Sequence, residues 1–316
     1  DDYISKYRRV LDYFDAVKIG LTATPALHTT DIFGLPIFSY GYREAVIDGY
    51  LVDHEPPVQI QTQLSKEGIV WKPGQQVAVY DPRRSKVELF TTPDEIRIEV
   101  EDFNCKVITE SFNQVVCEVL AREIDPSAPH KTLIFCANDA HAVLVVDLLK
   151  KSFAKQYGSV EDDAVLKITG AANKPLQLIR RYKNERNPSV AVTVDLLTTG
   201  VDVPQISNLV FLRRISSRIL FDQMLGRATR LCPEIGKEVF RVFDAVKIFE
   251  ALQNLSEMQP VVVDPAISFS QLVRELTEVT TDEERTLVRD QLVAKIQRKK
   301  RYLSDEQAQD FEALAG

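Results

Sequence analysis

Between residues 131 and 245 the chain alternates short, continuously apolar runs with amphipathic helical patterns, and few architectures accept that order. The runs are Thr132–Cys136, Val165–Ile168, Val190–Val194, Leu209–Leu212 and Val239–Phe243, and helical patterns at Asn138–Gln156, Pro175–Arg186 and Arg218–Arg230 separate most of them. A strand without polar alternation is apolar on both faces and must be covered on both. A helix between successive strands returns the chain to the edge from which it started, so the strands run parallel. The pattern predicts an α/β fold, a parallel sheet flanked by helices, over residues 126–255.

The flanks read differently. Residues 1–56 hold a helical pattern at Ser5–Phe14 and an apolar run, Val17–Leu21, expected as a strand that opens into Thr22-Ala23-Thr24-Pro25. Residues 57–125 begin with period two (Val58, Ile60, Thr62, Leu64) and carry turn signals at Glu67-Gly68, Pro73-Gly74 and Asp81-Pro82. They predict an inserted antiparallel hairpin or small sheet, closed by a connecting helix at Phe103–Glu123. Residues 256–316 turn to Leu, Glu, Arg and Gln with helical periodicity and predict a separate C-terminal helical element.

Length, charge and cysteines bound the functional classes. A chain of 316 residues is about two domains long. The net charge of -7, from 39 Lys and Arg against 46 Asp and Glu, excludes a uniformly basic coat but allows a local basic groove. Cys105, Cys117, Cys136 and Cys232 form no C-x-x-C pair and have no histidine at ligand spacing, so no metal site is expected and the thiols read as reduced, in a cytoplasmic protein. Apolar runs such as Ala142–Val146 are far shorter than the roughly 20 residues that span a bilayer, and no signal peptide is present. A start at Asp1-Asp2 without an initiator Met suggests a piece of a longer chain.

Three segments carry chemistry. In Gln223-Met224-Leu225-Gly226-Arg227-Ala228-Thr229-Arg230 the glycine suits close passage past something bulky, and Arg227 and Arg230, three apart, would share one helix face. Two guanidiniums there could grip a phosphate chain and stabilise charge on a transferred phosphoryl group; a solvated basic helix face is the bland alternative. Thr198-Thr199-Gly200-Val201-Asp202 follows a buried strand, where open α/β sheets bind ligands. Its hydroxyls and backbone suit phosphate, Asp202 suits a ribose hydroxyl or an arginine, and an ordinary turn is the alternative. Thr22-Ala23-Thr24-Pro25 is either a strand-end loop with side-chain turns or part of the same site.

Together, Thr22-Ala23-Thr24-Pro25, Ile134-Phe135-Cys136, Thr169-Gly170, Thr199-Gly200-x-Asp202 and Gln223-x-x-Gly226-Arg227-x-x-Arg230 fall in the order of superfamily 2 helicase motifs and resemble motifs III, IV, IVa, V and VI. Leu11-Asp12-Tyr13-Phe14, Ile19–Pro25, Tyr42–His54 and Thr193–Pro204 are similar to the restriction (R) subunit of type I restriction-modification enzymes. The resemblance covers about residues 5–250. It implies an ATP-driven double-stranded DNA translocase with RecA-like domains, of which 1–56 would hold the end of the first and 126–255 the second. By this resemblance Arg227, Arg230 and Gln223 are the catalytic candidates, and Gly200, Asp202 and Gly226 the nucleotide-binding ones. Thr22 and Thr24 would couple nucleotide state to grip, while Phe135, Cys136, Thr169, Gly170, Thr198 and Thr199 would contact the DNA backbone. ATP and Mg2+ would be the cofactors, held mainly by the first motor domain. Duplex DNA and the methyltransferase and specificity subunits of a type I complex would be the partners.

Departures limit what this piece could do alone. No G-x-x-x-x-G-K-[ST] occurs, no acidic pair reads D-E-x-H, and no Asp or Glu has Lys two residues later. The phosphate loop, the motif II carboxylate and a nuclease signature are all missing, so the piece is expected neither to hydrolyse ATP efficiently nor to cut DNA. Another superfamily 2 DNA or RNA helicase, or a non-catalytic module docking on a methyltransferase core, are the competing readings. Arg213, Arg214 and Arg218 sit at a strand end and helix start near the expected groove, where phosphate contact and a bland surface role are equally open. Arg180–Arg186 and Arg298–Arg301 read as solvated cationic faces, and His28, His54, His130 and His141 receive no catalytic role.

Overall fold

The computed structural model of the chain describes residues 2–24, 27–60, 69–71, 76–81, 86–91, 96–98, 104, 108–195, 201–300 and 303–315. Helices α1 (Asp2–Tyr13), α2 (Leu27–Phe33) and α3 (Tyr42–Ile47) lead into strands β1 (Asp53–His54) and β2 (Val58–Gln59). Strands β3 (Ile69–Trp71), β4 (Gln76–Asp81), β5 (Lys86–Thr91) and β6 (Ile96–Ile98) precede helix α4 (Glu110–Glu123). The alternating region then supplies β7 (Lys131–Phe135), α5 (Asp139–Tyr157), β8 (Val165–Lys167), α6 (Pro175–Asn184), β9 (Val190–Thr193), β10 (Ile206–Phe211), α7 (Arg218–Leu225) and β11 (Val239–Asp244). Helices α8 (Ile248–Leu252), α9 (Phe269–Glu278), α10 (Asp282–Lys300) and α11 (Asp305–Ala315) complete it.

The main sheet is parallel throughout, in the order β1-β11-β10-β7-β9-β8, with β2 also pairing β11. Strands β7, β9 and β10 are buried at every residue. Their successive side chains therefore enter two different cores. Ile134, Cys136, Val192 and Val210 pack with Phe112, Leu120 and Leu149 of α4 and α5, while Leu133, Phe135, Ala191 and Phe211 pack with Tyr182, Phe221 and Phe249 of α6, α7 and α8. The five expected strands and the flanking helices are all present, because both-face burial is what their continuous apolar sequence encodes.

The insertion is antiparallel, β3 with β6 and β4 with β5, as expected, although the period-two residues themselves lie outside these strands. Val58 belongs to the main sheet, opposite Phe243. Thr62, Leu64 and the turn signals at Glu67-Gly68 and Pro73-Gly74 lie outside the described residues. The expected strand at Val17–Leu21 does not form. Its residues make no ladder, and Val17, Ile19 and Leu21 are exposed. The run has strand-forming side chains, but it pairs with no described strand, and a lone strand has no ladder to stabilise it.

A third, small core joins the flanks: Tyr42 and Val46 of α3 pack with Val261, Val262 and Ala294 of α10. Gly49, at φ +79, turns the chain after α3 and lies so close to α10 that a Cβ there would sit 2.9 Å from Gln297 Oε1. No described helix is long and apolar enough to cross a membrane.

Candidate functional site

Helix α7 is capped by Ser217, whose hydroxyl accepts from Leu220 N at 3.3 Å, and it ends at Leu225 with Gly226 as its C-cap. Beyond it the hydrogen bonds tighten, Arg227 N to Met224 O and Ala228 N to Leu225 O, and Thr229 Oγ1 donates to Gly226 O. The expected helix through Arg230 is therefore corrected, and Arg227 and Arg230 do not share a helix face. Glycine ends the helix by its lower helical propensity, and burial of Ala228 and Thr229 pulls the chain back toward the sheet, where Val52 N donates to Thr229 O.

What brings the two arginines together is a different segment. Arg227 Nη1 donates to Val201 O at 2.9 Å and its Nε to Gln223 O at 3.3 Å, while Arg230 Nε lies 3.6 Å from Asp202 Oδ1. Gln223 Nε2 in turn donates to Thr24 Oγ1 at 3.4 Å, and Thr24 N donates to Thr22 Oγ1 at 3.1 Å. Thr22, Thr24, Gln223, Arg227, Asp202 and Arg230 thus form one connected cluster. Thr198, Thr199, Gly200 and Pro25 lie outside the described residues.

The electrostatics of Arg227 are distinctive. Its hydrogen-bond acceptors are main-chain carbonyls, which carry no compensating charge. Burial, and then repulsion from Arg230, hold its pKa below the ordinary arginine value, against a smaller attraction from Asp202. A half-buried guanidinium without a carboxylate of its own favours an incoming anion.

The expected DNA-side residues fare unevenly. Phe135 and Cys136 are completely buried; Phe135 stacks on Phe211, and burial pushes the Cys136 thiol far up. Cys136 N donates to Thr193 O and Ala137 N to His141 Nδ1. The side chains of Phe135 and Cys136, and these two amides, are committed internally. Both side chains alternate into the two cores because they complete β7. Thr169 is also buried, and its hydroxyl donates to Asp139 Oδ1 at 2.5 Å, where Lys167 Nζ reaches Oδ2 at 2.7 Å. That proton is unavailable to a phosphate. Gly170 is exposed, with open space around it.

Two features escape sequence reasoning. The carbonyl of Val201 carries no side-chain signal at all. Buried His141 joins Asn113, whose amide exchanges hydrogen bonds of 3.0 and 3.2 Å with Asn104 and whose Oδ1 lies 2.9 Å from His141 Nε2. That network supports the loop after β7 through Ala137 N and Asn138 Oδ1. Arg181, inside the expected solvated run, pairs with Asp163 and Glu185, and Tyr182 is buried with its hydroxyl on Thr132 O.

Residues 111–232 match the family described as helicase conserved C-terminal domain. The chain is 48% identical over 309 residues to the type I restriction enzyme EcoKI endonuclease subunit of Escherichia coli (strain K12), covering 94% of this chain and 26% of that protein. It is 28% identical over 293 residues to the type I restriction enzyme EcoAI endonuclease subunit of Escherichia coli, covering 87% and 35% respectively. A fragment structure of an HsdR subunit of a type I restriction enzyme from Vibrio vulnificus YJ016 superposes with a TM-score of 0.58 at 25% identity, over 82% of this chain and 46% of that one. The chain therefore spans about a quarter to a third of the curated relatives it matches.

Proposed function

We propose that this chain, the helicase C-terminal region of a type I restriction enzyme R subunit, serves as the second motor domain of an ATP-driven double-stranded DNA translocase, in a cytoplasmic complex with methyltransferase and specificity subunits. The observation that carries the reading is the cluster around Arg227: a half-buried cation held by the carbonyls of Gln223 and Val201, beside Arg230, and linked through Gln223 to Thr24. Such a donor set fits the polyphosphate of ATP. No group of three metal-holding side chains occurs among the described residues; the first motor domain would hold Mg2+.

ATP, when bound, supplies the phosphoanhydride bond whose hydrolysis drives the motor. Arg227 and Arg230 neutralise negative charge arriving from the facing domain, which makes hydrolysis conditional on cleft closure. Asp202 holds Arg230 until then, and Gly200 and Gly226 would border the nucleotide. Gln223 orients the terminal phosphate and, through Thr24 and Thr22, passes the state of the cleft to the segment before α2. Gly170, with Thr198 and Thr199, contacts phosphates of the DNA backbone without reading bases. By itself the piece is inactive, because the phosphate loop and motif II are not among its residues.

The test is Arg227→Ala in the full-length protein. DNA-stimulated ATP hydrolysis should fall by about two to three orders of magnitude, or about 3 to 4 kcal/mol of transition-state stabilisation, with ATP affinity changing much less. Hydrolysis near the parental rate overturns the assignment. Stimulation by RNA in place of duplex DNA would favour a different superfamily 2 helicase.

A further inference from the structure

The strand order creates a crevice that the cluster around Arg227 does not use. The chain leaves β7 through α5 toward β8, on one side of the sheet, and leaves β10 through α7 toward β11, on the other. Helices α5 and α7 belong to opposite cores. The carboxyl ends of the neighbouring strands β7 and β10 are therefore a topological switch point, where connections diverge and open α/β sheets take their ligands.

One cation spans this point. Arg213 stands two residues beyond the end of β10, and Asp195 two residues beyond the end of β9, with β7 between those strands. Arg213 Nη1 reaches across the end of β7 to Asp195 Oδ1 at 2.8 Å and to Val194 O at 3.4 Å. Both bonds leave from a single nitrogen, so the fork of Arg213 is engaged on one prong only. The pairing is also lopsided in exposure, 18% for the arginine side chain and 65% for the carboxylate. An ion pair whose carboxylate is largely exposed contributes little, whereas a phosphate can take two prongs of a guanidinium at once. At the same strand end, the buried hydroxyl of Thr193 has no hydrogen-bond partner. Arg214 follows directly and adds positive charge to the rim.

We propose that Arg213 is a DNA-backbone contact at the β7/β10 switch point and that Asp195 occupies its guanidinium until a phosphodiester displaces it. This rests on the translocase reading and deepens it by adding a phosphate contact outside the helicase motifs. Asp195 acts as an internal competitor: it keeps the cation oriented across the crevice and sets how tightly the domain grips duplex. Neither residue belongs to the nucleotide cluster, so ATP affinity is independent of both.

The experiment titrates labelled duplex DNA, without nucleotide, against the full-length protein and its Asp195→Asn, Arg213→Ala and double variants over a range of salt. ATP titrations form a second arm, and circular dichroism verifies folding. Arg213→Ala should weaken duplex binding about 5- to 10-fold and reduce the salt slope by about 0.9, the loss of one neutralised phosphate. Asp195→Asn should tighten binding about 3-fold or more, and that gain should vanish in the Arg213→Ala background. A gain that persists in the double variant is bulk charge alone and overturns the competition. A folded Arg213→Ala protein with unchanged duplex affinity and slope overturns the contact, as does an effect confined to the ATP arm, which would assign Arg213 to nucleotide. Absence of duplex binding by the parental protein overturns the translocase reading itself.

Discussion

Arg298 on α10 places its guanidinium 2.8 Å from the carboxylate of Asp53 on edge strand β1, 245 residues earlier in the chain. The exposures are 12% and 1%, so the pair is buried, and the cationic run expected to be solvated is in part a structural tie. The same carboxylate accepts from Val261 N and Val262 N at 3.0 Å each and from Tyr42 Oη at 3.3 Å. One acidic side chain thereby joins the tail, the segment before it and the sheet edge. Removing it strands a buried cation, so Asp53→Ala should destabilise the 316-residue chain by about 3 to 5 kcal/mol. Urea denaturation checks this. Arg298→Met should cost less, since Asp53 keeps its other donors, and a cost below about 1 kcal/mol for Asp53→Ala would remove the tie from the account.

Activity and stability should separate at Arg230. It is 60% exposed and its partner Asp202 55% exposed at 3.6 Å, so the pair contributes at most about 1 kcal/mol to folding. Arg230→Ala should leave the thermal midpoint nearly unchanged while DNA-stimulated ATP hydrolysis falls by about two orders of magnitude or more. Loss of both in step would make Arg230 a structural residue.

Three buried bases make stability depend on pH in two separate windows. Burial lowers His141 from 6.5 to about 3 and Lys237 from 10.5 to about 7, and Lys131 drops to about 8 for the same cause. In each case the unfolded chain binds a proton that the folded one refuses, so stability rises with pH across the interval between the two values. Denaturation midpoints should therefore fall as pH drops below about 6.5, through His141, and climb from about pH 7 toward about 10, through Lys237 and Lys131. Lys237→Met should flatten the alkaline rise and leave the acid fall intact. An unaltered alkaline slope in that variant would count against a buried neutral lysine.

Gly49→Ala probes the seam between α3 and α10. The left-handed φ of +79 and the 2.9 Å approach to Gln297 together predict a cost of about 1 to 2 kcal/mol, with loss of the 3.1 Å bond from Gln297 Nε2 to Ile47 O. Calorimetry of the variant is the measurement. A neutral result would mean that the turn relaxes without disturbing α10.

The sequence by itself determined the layered core. Lys131–Phe135, Val190–Thr193 and Ile206–Phe211 are strands in a parallel sheet because an apolar run of that length has a low free energy only when both faces are covered, and the helices that cover them lie between the strands. It also determined which motifs meet: Thr24, Gln223, Arg227, Asp202 and Arg230 converge although nearly 200 residues separate the first two. Tertiary structure decided how they meet. Arg227 and Arg230 lie past a helix end at Gly226 and are arranged through Val201 and Asp202, a relation that helical spacing cannot express. Val17–Leu21 has a strand's composition but no partner ladder, and pairing is a property of two segments. Phe135, Cys136 and Thr169 sit at strand ends, where one residue decides between core and rim, and the depth of packing against α5 and α7 placed them in the core. Asp53 with Arg298 and Arg213 with Asp195 depend on strand order and helix docking. Charge in a sequence marks what can pair, and only the fold sets the distance and the burial that decide whether it does.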